Sequence, residues 1–196
     1  MLTNSATLNL NATTGSWNLV GGTIQGGTVE VADGARLVGT SGGGTLGGVT
    51  LKGAAAQTQP VVLELNNYPT GVAVVGDLTL DNATINLQGG THIDFSSATA
   101  TLGGSGTVLF ADNTYYNNLR PTANAGQLTI GAGVTVKGAG GTIGYSNVWG
   151  GPSNVAIVNQ GIIGPDRPGT MYLVGASLTN QGTLQASGAS TFNVQP

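Results

Sequence analysis

Val158-Asn159-Gln160-Gly161-Ile162-Ile163 is echoed by Thr179-Asn180-Gln181-Gly182-Thr183-Leu184, so the Asn-Gln-Gly triplet recurs after an interval of about 21 residues, within the range of solenoid repeats. Both copies sit among alternating apolar and polar residues without helix formers. A recurrence at that period is the signature of stacked coils, in which each turn of chain repeats its neighbour, rather than of a domain closed around one core. Equivalent side chains then lie about 4.8 Å apart along the axis. Asn159 and Asn180, recurring at one corner, can join as a ladder of amide hydrogen bonds.

Further echoes support the period. Gly22-Thr23-Ile24 returns as Gly44-Thr45-Leu46, and Thr79-Leu80 as Thr101-Leu102, each after a similar interval of about 22 residues. Gly48-Val49-Thr50-Leu51-Lys52-Gly53-Ala54 reappears as Gly133-Val134-Thr135-Val136-Lys137-Gly138-Ala139, an 85-residue echo that reads as four turns of about 21 residues. The sequence therefore predicts an all-β chain, a parallel β-solenoid of about 21–22 residues per coil, running as one unit over residues 1–196. The regular pattern loosens at residues 54–70, 111–126, 145–154 and 164–169, which are read as loop excursions from the coils.

Composition agrees. The 196 residues include 35 glycines, 39% are hydrophobic, only 7% are charged and there is no cysteine. The glycines fall between short Val, Ile, Leu and Thr runs, as turns between strands do, without the triplet of collagen or the apolar poverty of disorder. Net charge is −3 and the five cations (Arg36, Lys52, Arg120, Lys137, Arg167) are scattered, so no stripe suited to nucleic acid exists. The opening residues lack the cationic and apolar regions of a signal peptide, and no stretch has the length of a membrane-spanning helix. Strand-like sequence directly after Met1 and an abrupt end at Pro196 suggest a segment excised from a longer protein, with any export signal outside it.

Candidate binding residues lie in the excursions. Tyr115 and Tyr116, amid Asn113, Asn117, Asn118 and Arg120, together with Trp149 in the next excursion, could offer a polar and aromatic surface to a glycan or a partner. The competing reading, favoured by the general burial of aromatic rings, has these side chains covering apolar surface of the stack. His92 has no second histidine with which to build a zinc site and reads as structural. Lys52 and Lys137 read as solvent-facing edge protection. Asp166 beside Arg167 reads as a surface ion pair of small energetic weight.

Catalytic chemistry finds little support. Glycoside hydrolysis commonly needs two carboxylates about 5–9.5 Å apart, and the eight acids (Glu30, Asp33, Glu64, Asp77, Asp81, Asp94, Asp112, Asp166) show no paired motif at coil spacing. A lyase would want a calcium cluster of acids with a base nearby, and charges are too sparse for one. No metal, nucleotide or haem motif is present, so no cofactor is expected. The Thr-X-Thr row of an ice-binding solenoid, suggested by Thr99 and Thr101, is not maintained.

The motifs GTL (44–46), GSGTV (104–108), LTIGAGVTVKG (128–138), GTIG (141–144), NQGII (159–163) and LTNQGTLQA (178–186) resemble the repeat regions of giant bacterial surface and secreted proteins of the autotransporter and filamentous-haemagglutinin-like kind. The resemblance implies a right-handed parallel β-helix, with Asn159 and Asn180 as inward or corner asparagines and Gly161 and Gly182 as the turn glycines that follow them. It implies a non-catalytic stalk or adhesin-type module, extracellular or at the cell surface, that displays surface or stacks end to end. The alternative is a carbohydrate-binding or carbohydrate-active β-helix of the lyase or hydrolase type. The expected partners are a second copy through the solenoid ends and a surface glycan, with neither nucleic acid binding nor membrane insertion by this segment.

Overall fold

A computed structural model describes residues 1–195. Among them there is no helix, and the strands form one parallel sheet wound on itself, a β-solenoid-like fold. The pairing sorts the strands into three columns along the axis. The first runs through Thr23–Gln25, the early part of Thr45–Gly53, the early part of Thr70–Leu87, Thr91–Phe95, the end of Thr99–Pro121, the end of Gly133–Gly144, Thr170–Val174 and Thr191–Gln195. The second contains Thr7–Leu10, Thr28–Val31, Gln127–Ile130, Ala156–Asn159 and Ser177–Asn180, and the third Trp17–Leu19, Leu37–Gly39, Val61–Leu65, Ile162–Ile163 and Thr183–Leu184. The longest strands turn corners and contribute to more than one column.

Period-two alternation decides which side chains enter the core. In Thr28–Val31 the valines are buried and Thr28 and Glu30 face out; in Thr91–Phe95, Ile93 and Phe95 are buried while His92 and Asp94 face out. The inward residues form one continuous apolar core from Leu10 to Leu173, with Phe95 and Phe110 its largest members.

The short period read from the sequence holds wherever no loop is inserted, at both ends and also in the middle, where Thr70 pairs with Thr91 and Leu63 with Ile85. Thr7 pairs with Thr28 and Thr28 with Thr50, and at the far end Ala156 pairs with Ser177 and Thr170 with Thr191, offsets of 21 or 22. In coils that carry an excursion the offset grows, to 28 for Thr45 with Ala73, 29 for Gln127 with Ala156 and 30 for Gly141 with Met171. The extra residues are the excursions at 54–70, 111–126 and 145–154, and a uniform coil length is corrected accordingly. Residues 164–169 instead fall inside the 21-residue step from Ala156 to Ser177 and form an ordinary corner, with the Gly164 amide donating to the Val136 carbonyl and the Ser187 amide to the Pro165 carbonyl. The same insertions change the meaning of the 85-residue echo. Thr50 stacks on Thr79 in the second column, whereas Thr135 stacks on Thr107 and Thr107 on Thr84 in the third. The two copies of the Gly-Val-Thr motif therefore occupy different faces, and their spacing is not four whole turns.

At the corner after the second column, Asn159 is fully buried. Its Nδ2 donates to Asn180 Oδ1 at 2.8 Å and to the Thr183 carbonyl at 3.2 Å, while its Oδ1 accepts from the Gly161 amide at 3.1 Å. Gln160 donates to Gln181 at 3.1 Å on the solvent side. Gly161 and Gly182 follow for steric reasons: a Cβ on Gly161 would collide with the Val134 and Gly131 carbonyl oxygens, and one on Gly182 with the Gly161 carbonyl oxygen. Close approach of successive backbones, rather than left-handed backbone dihedrals, requires glycine there.

The buried and exposed amide pairs should differ sharply in energetic weight. Asn159→Ala leaves the Gly161 amide and the Asn180 oxygen without their partner, and is expected to cost about 2 kcal/mol, lowering the melting temperature by roughly 4–8 °C. Gln160→Ala should stay within about 0.5 kcal/mol of the parent. Thermal unfolding followed by circular dichroism measures both, and equal effects would refute the assignment of stability to the inner amide.

Candidate functional site

The outward positions of the first column carry a run of polar and aromatic groups unlike the rest of the surface. Stacked in register are Gly71, His92, Asn118, Thr142, Tyr172 and Asn193, and beside them run Ala73, Asp94 and Arg120 and, further along, Gly144, Val174 and Gln195. Excursions reach this face from both of its corners. Tyr68 arrives from the corner before it, as does the bulge around residues 113–118, where pairing with Gly133–Gly144 shifts register twice. The 145–154 loop leaves from the corner after it.

At one end of the strip these excursions are clasped together. Arg120, in the outward position next to Asp94, forms a bidentate pair with that carboxylate, Nε to Oδ1 and Nη2 to Oδ2, both 2.7 Å. Its Nη1 donates to the carbonyls of Trp149 at 2.6 Å and Gly150 at 3.0 Å. One buried guanidinium thus fixes the loop to the coil, the planar geometry for which arginine is suited. The Trp149 ring lies 4.2 Å from His92 and 5.5 Å from Tyr68 between centroids, and its Nε1 donates to the Tyr116 carbonyl at 2.7 Å. His92 in turn lies over Gly71, where any Cβ would strike its ring.

Asn117 and Asn118 are both fully buried yet differently engaged. Asn117 Oδ1 accepts from the Gly90 and Thr91 amides at 3.1 and 3.2 Å, and its Nδ2 donates to Asp112 Oδ1 at 2.6 Å, which anchors the base of the bulge. The Asn118 amide oxygen and nitrogen make no hydrogen bond within the described chain, nor does His92 Nδ1 one rung away.

At the other end the strip opens into a cleft of about 240 Å³. Thr142, Tyr172, Val174 and Gln195 of the coils line it, together with Tyr145, Ser146 and Asn147 at the start of the loop and Tyr115 of the bulge. Tyr115 is 52% exposed; its ring meets Tyr116 edge-on at 4.4 Å and the two hydroxyls lie 3.2 Å apart. That hydrogen bond is the main reason the Tyr115 hydroxyl ionises above the usual tyrosine range.

The sequence-predicted residues are therefore gathered on one face, in two settings. Trp149 packs inward as a buttress, Tyr116 supplies its carbonyl, and Tyr115 alone of the three borders the cleft. Arg120, expected among the polar neighbours of Tyr115 and Tyr116, lies in the strip, and Tyr68, Asp94, Tyr145 and Tyr172 complete it without having been singled out as binding residues in the sequence. Tyr172 had a legible signal, since in Thr170–Val174 Met171 and Leu173 take the buried positions of the alternation and leave Tyr172 outward. Among the described residues no group of three His, Asp or Glu side chains is placed to hold a metal ion, and no helix is long and apolar enough to cross a membrane. Comparison with protein-family models, with curated proteins and with solved structures gives no match, so the chemistry of the strip is read from its geometry alone.

Two measurements probe the clasp. Asn118→Leu removes a desolvated amide that has no partner in the chain and should leave stability unchanged or raised, whereas Asn117→Leu should lower it by about 2–3 kcal/mol by orphaning the Gly90 and Thr91 amides; chemical denaturation compares them, and a reversed order would be incompatible with these hydrogen bonds. Burial holds the His92 imidazole below its usual range, with Asp94 opposing and Arg120 reinforcing the shift. The folded state therefore binds the proton less readily than the unfolded chain. Stability should be level above pH about 6.5 and decline as pH falls through the lowered histidine value. His92→Gln should flatten that part of the melting-temperature profile, and an unchanged profile would show that His92 does not titrate in this environment.

Proposed function

We propose that this chain is a non-catalytic rod module of a bacterial extracellular or cell-surface protein, a right-handed parallel β-helix that holds a stiff axis, displays its outer face and associates end to end. The observation that carries this reading is the use made of its few charged groups. Glu30 pairs with Lys52 at 3.4 Å and Asp166 with Lys137 at 3.2 Å; Glu64 pairs with Arg36 and Asp94 with Arg120. Each of these pairs joins different coils. Asp77 accepts from the Thr101 amide at 2.7 Å and Asp112 from the Gly89 amide at 2.8 Å, again across coils. Carboxylates committed to axial cross-links are poor candidates for general acid or base, which need a raised or freely exchanging proton. The repeat motifs' resemblance to bacterial surface-protein stalks supports the extracellular setting.

End-to-end association is favoured by the terminal coils. Among the described residues, Leu2–Thr3, Thr7–Leu10 and Trp17–Leu19 pair on one side only, as do Ser177–Asn180, Thr183–Leu184 and Thr191–Gln195 at the other end. Met1, Leu2, Trp17 and Val20 expose apolar surface beside the first edges. Unpaired parallel edges with apolar neighbours are templates for another strand layer. A second copy offers the complementary edge and continues the axis, a heterologous contact that generates open filaments.

Sedimentation velocity over a hundredfold concentration range tests the association, and small-angle scattering follows the shape. A frictional ratio that rises with concentration, with a cross-section that stays constant, is the expected result. A strictly monomeric species at the highest concentration removes the end-to-end contact, and growth of the cross-section would indicate lateral packing instead. Val20→Lys, at a side chain 67% exposed on the first coil, should weaken the association without unfolding the chain.

A further inference from the structure

We propose that the cleft between Tyr115, Tyr145 and Tyr172 is a binding site for a neutral saccharide, one or two sugar rings of a longer neutral polysaccharide lying along the solenoid axis. This site is separate from the rod's end contacts and does not depend on them.

Three observations select that ligand. Among the described residues no Lys, Arg, His, Asp or Glu side chain lines the cleft, so none there would offset the cost of desolvating a charged group. Phosphorylated ligands, nucleic acids and uronic acids are disfavoured on that ground. Three tyrosines line one small space, and tyrosine carries an apolar ring face together with a hydroxyl. A pyranose has the matching character, with C–H groups on its faces and hydroxyls around its edge. The remaining polar lining residues, Thr142, Ser146, Asn147 and Gln195, carry hydroxyls or amides that supply both donors and acceptors. Sugar hydroxyls also do both. A proline-rich segment, the other common ligand of tyrosine-lined grooves, offers carbonyl acceptors and no donors at its prolines.

Size and placement agree. The volume of about 240 Å³ lies below the range of pockets that enclose drug-sized molecules. The floor is made by successive rungs, Thr142 then Tyr172, so a ligand lying in it follows the axis. The walls are held from behind. The Tyr145 amide donates to the Val174 carbonyl at 3.0 Å and Thr142 Oγ1 to the Tyr115 carbonyl at 3.2 Å, so two of the three tyrosines stand on braced backbone before any ligand arrives.

Affinity electrophoresis of the whole chain tests the site, in gels containing in turn a neutral β-glucan, galactan, mannan and xylan, with polygalacturonate as the charged comparison. Retardation by at least one neutral polymer is expected. Tyr172→Ala should weaken it at least tenfold while Tyr172→Phe retains most of it, because ring stacking carries more of the contact than the hydroxyl. Tyr115→Ala and Asn147→Ala, at exposed positions, should weaken it severalfold with unchanged circular dichroism melts, and they decide the matter if Tyr172→Ala does not fold. Mobility unaffected by all four neutral polymers overturns the proposal. So does retardation by polygalacturonate alone, retardation indifferent to the Tyr115, Tyr172 and Asn147 substitutions, or displacement of the glycan by a proline-rich peptide. None of these results would alter the sedimentation behaviour, so failure of the cleft and failure of the rod reading remain distinguishable.

Discussion

Every coil depends on its neighbours for hydrogen bonds. A parallel strand cannot satisfy its own amides and carbonyls, and in this chain the partners of each strand lie on the rungs before and after it. That requirement fixes the axial spacing, and the spacing in turn fixes what adjacent side chains can do for one another. Inside, Val, Ile, Leu and Phe stack into a continuous core. Outside, residues one rung apart are near enough for an acid to meet a base, which is where Glu30 meets Lys52 and Asp94 meets Arg120. At the corner, the same spacing lets Asn159 reach Asn180, and it brings backbones so close that Gly161 and Gly182 have no room for a Cβ.

The axial constraint acts on strands and leaves corners free. Extra residues inserted between two strands need not disturb the stack, because lengthening a loop adds only a slowly growing entropic cost. The central coils use that freedom, with offsets reaching 30 between Gly141 and Met171, while the strands on either side remain in register. Insertions at the two corners flanking the first column bring Tyr68, Tyr115, Tyr116 and Trp149 over one face. A ring from a loop is worth little unless the loop is held. Arg120 holds this one by using both edges of its guanidinium, one on Asp94 and the other on the loop backbone. An arginine is the only side chain that could do both at once, since lysine lacks the fork.

Much of the fold was legible in the sequence for the reason that it failed elsewhere. The Asn-Gln-Gly pair falls in a stretch with no inserted loop between its second-column strands, so chain distance there equals one coil. The Gly-Val-Thr echoes span the excursions at 54–70 and 111–126, and chain distance no longer counts coils; the motif recurs because the same local strand-and-turn chemistry suits two different faces. The site was half legible. Tyr115, Tyr116 and Trp149 stood out by composition, but whether a ring packs inward or borders a cleft is set by register and by its neighbours on other coils. His92, isolated in the sequence, acquires Gly71 beneath it and Trp149 against it only when three separate stretches are brought to one face.

The distribution of charge follows from the same constraint. With few charged side chains available, the chain places most of them where an axial neighbour of opposite sign is within reach, and the partners of Asp94 are the extreme case, since Arg120 is itself buried. Removing one member would strand the other, and a buried charge without its counterion is far more costly than a surface pair is beneficial. The charges are thereby committed to holding coils and loops together. What the strip then presents outward is what such a chain has in reserve: phenol rings, hydroxyls and amides, at Tyr115, Tyr172, Thr142 and Gln195. A surface of that kind favours ligands that can be stacked upon and hydrogen-bonded without being neutralised, and the selectivity comes from the stack's use of its own charges as much as from the cleft.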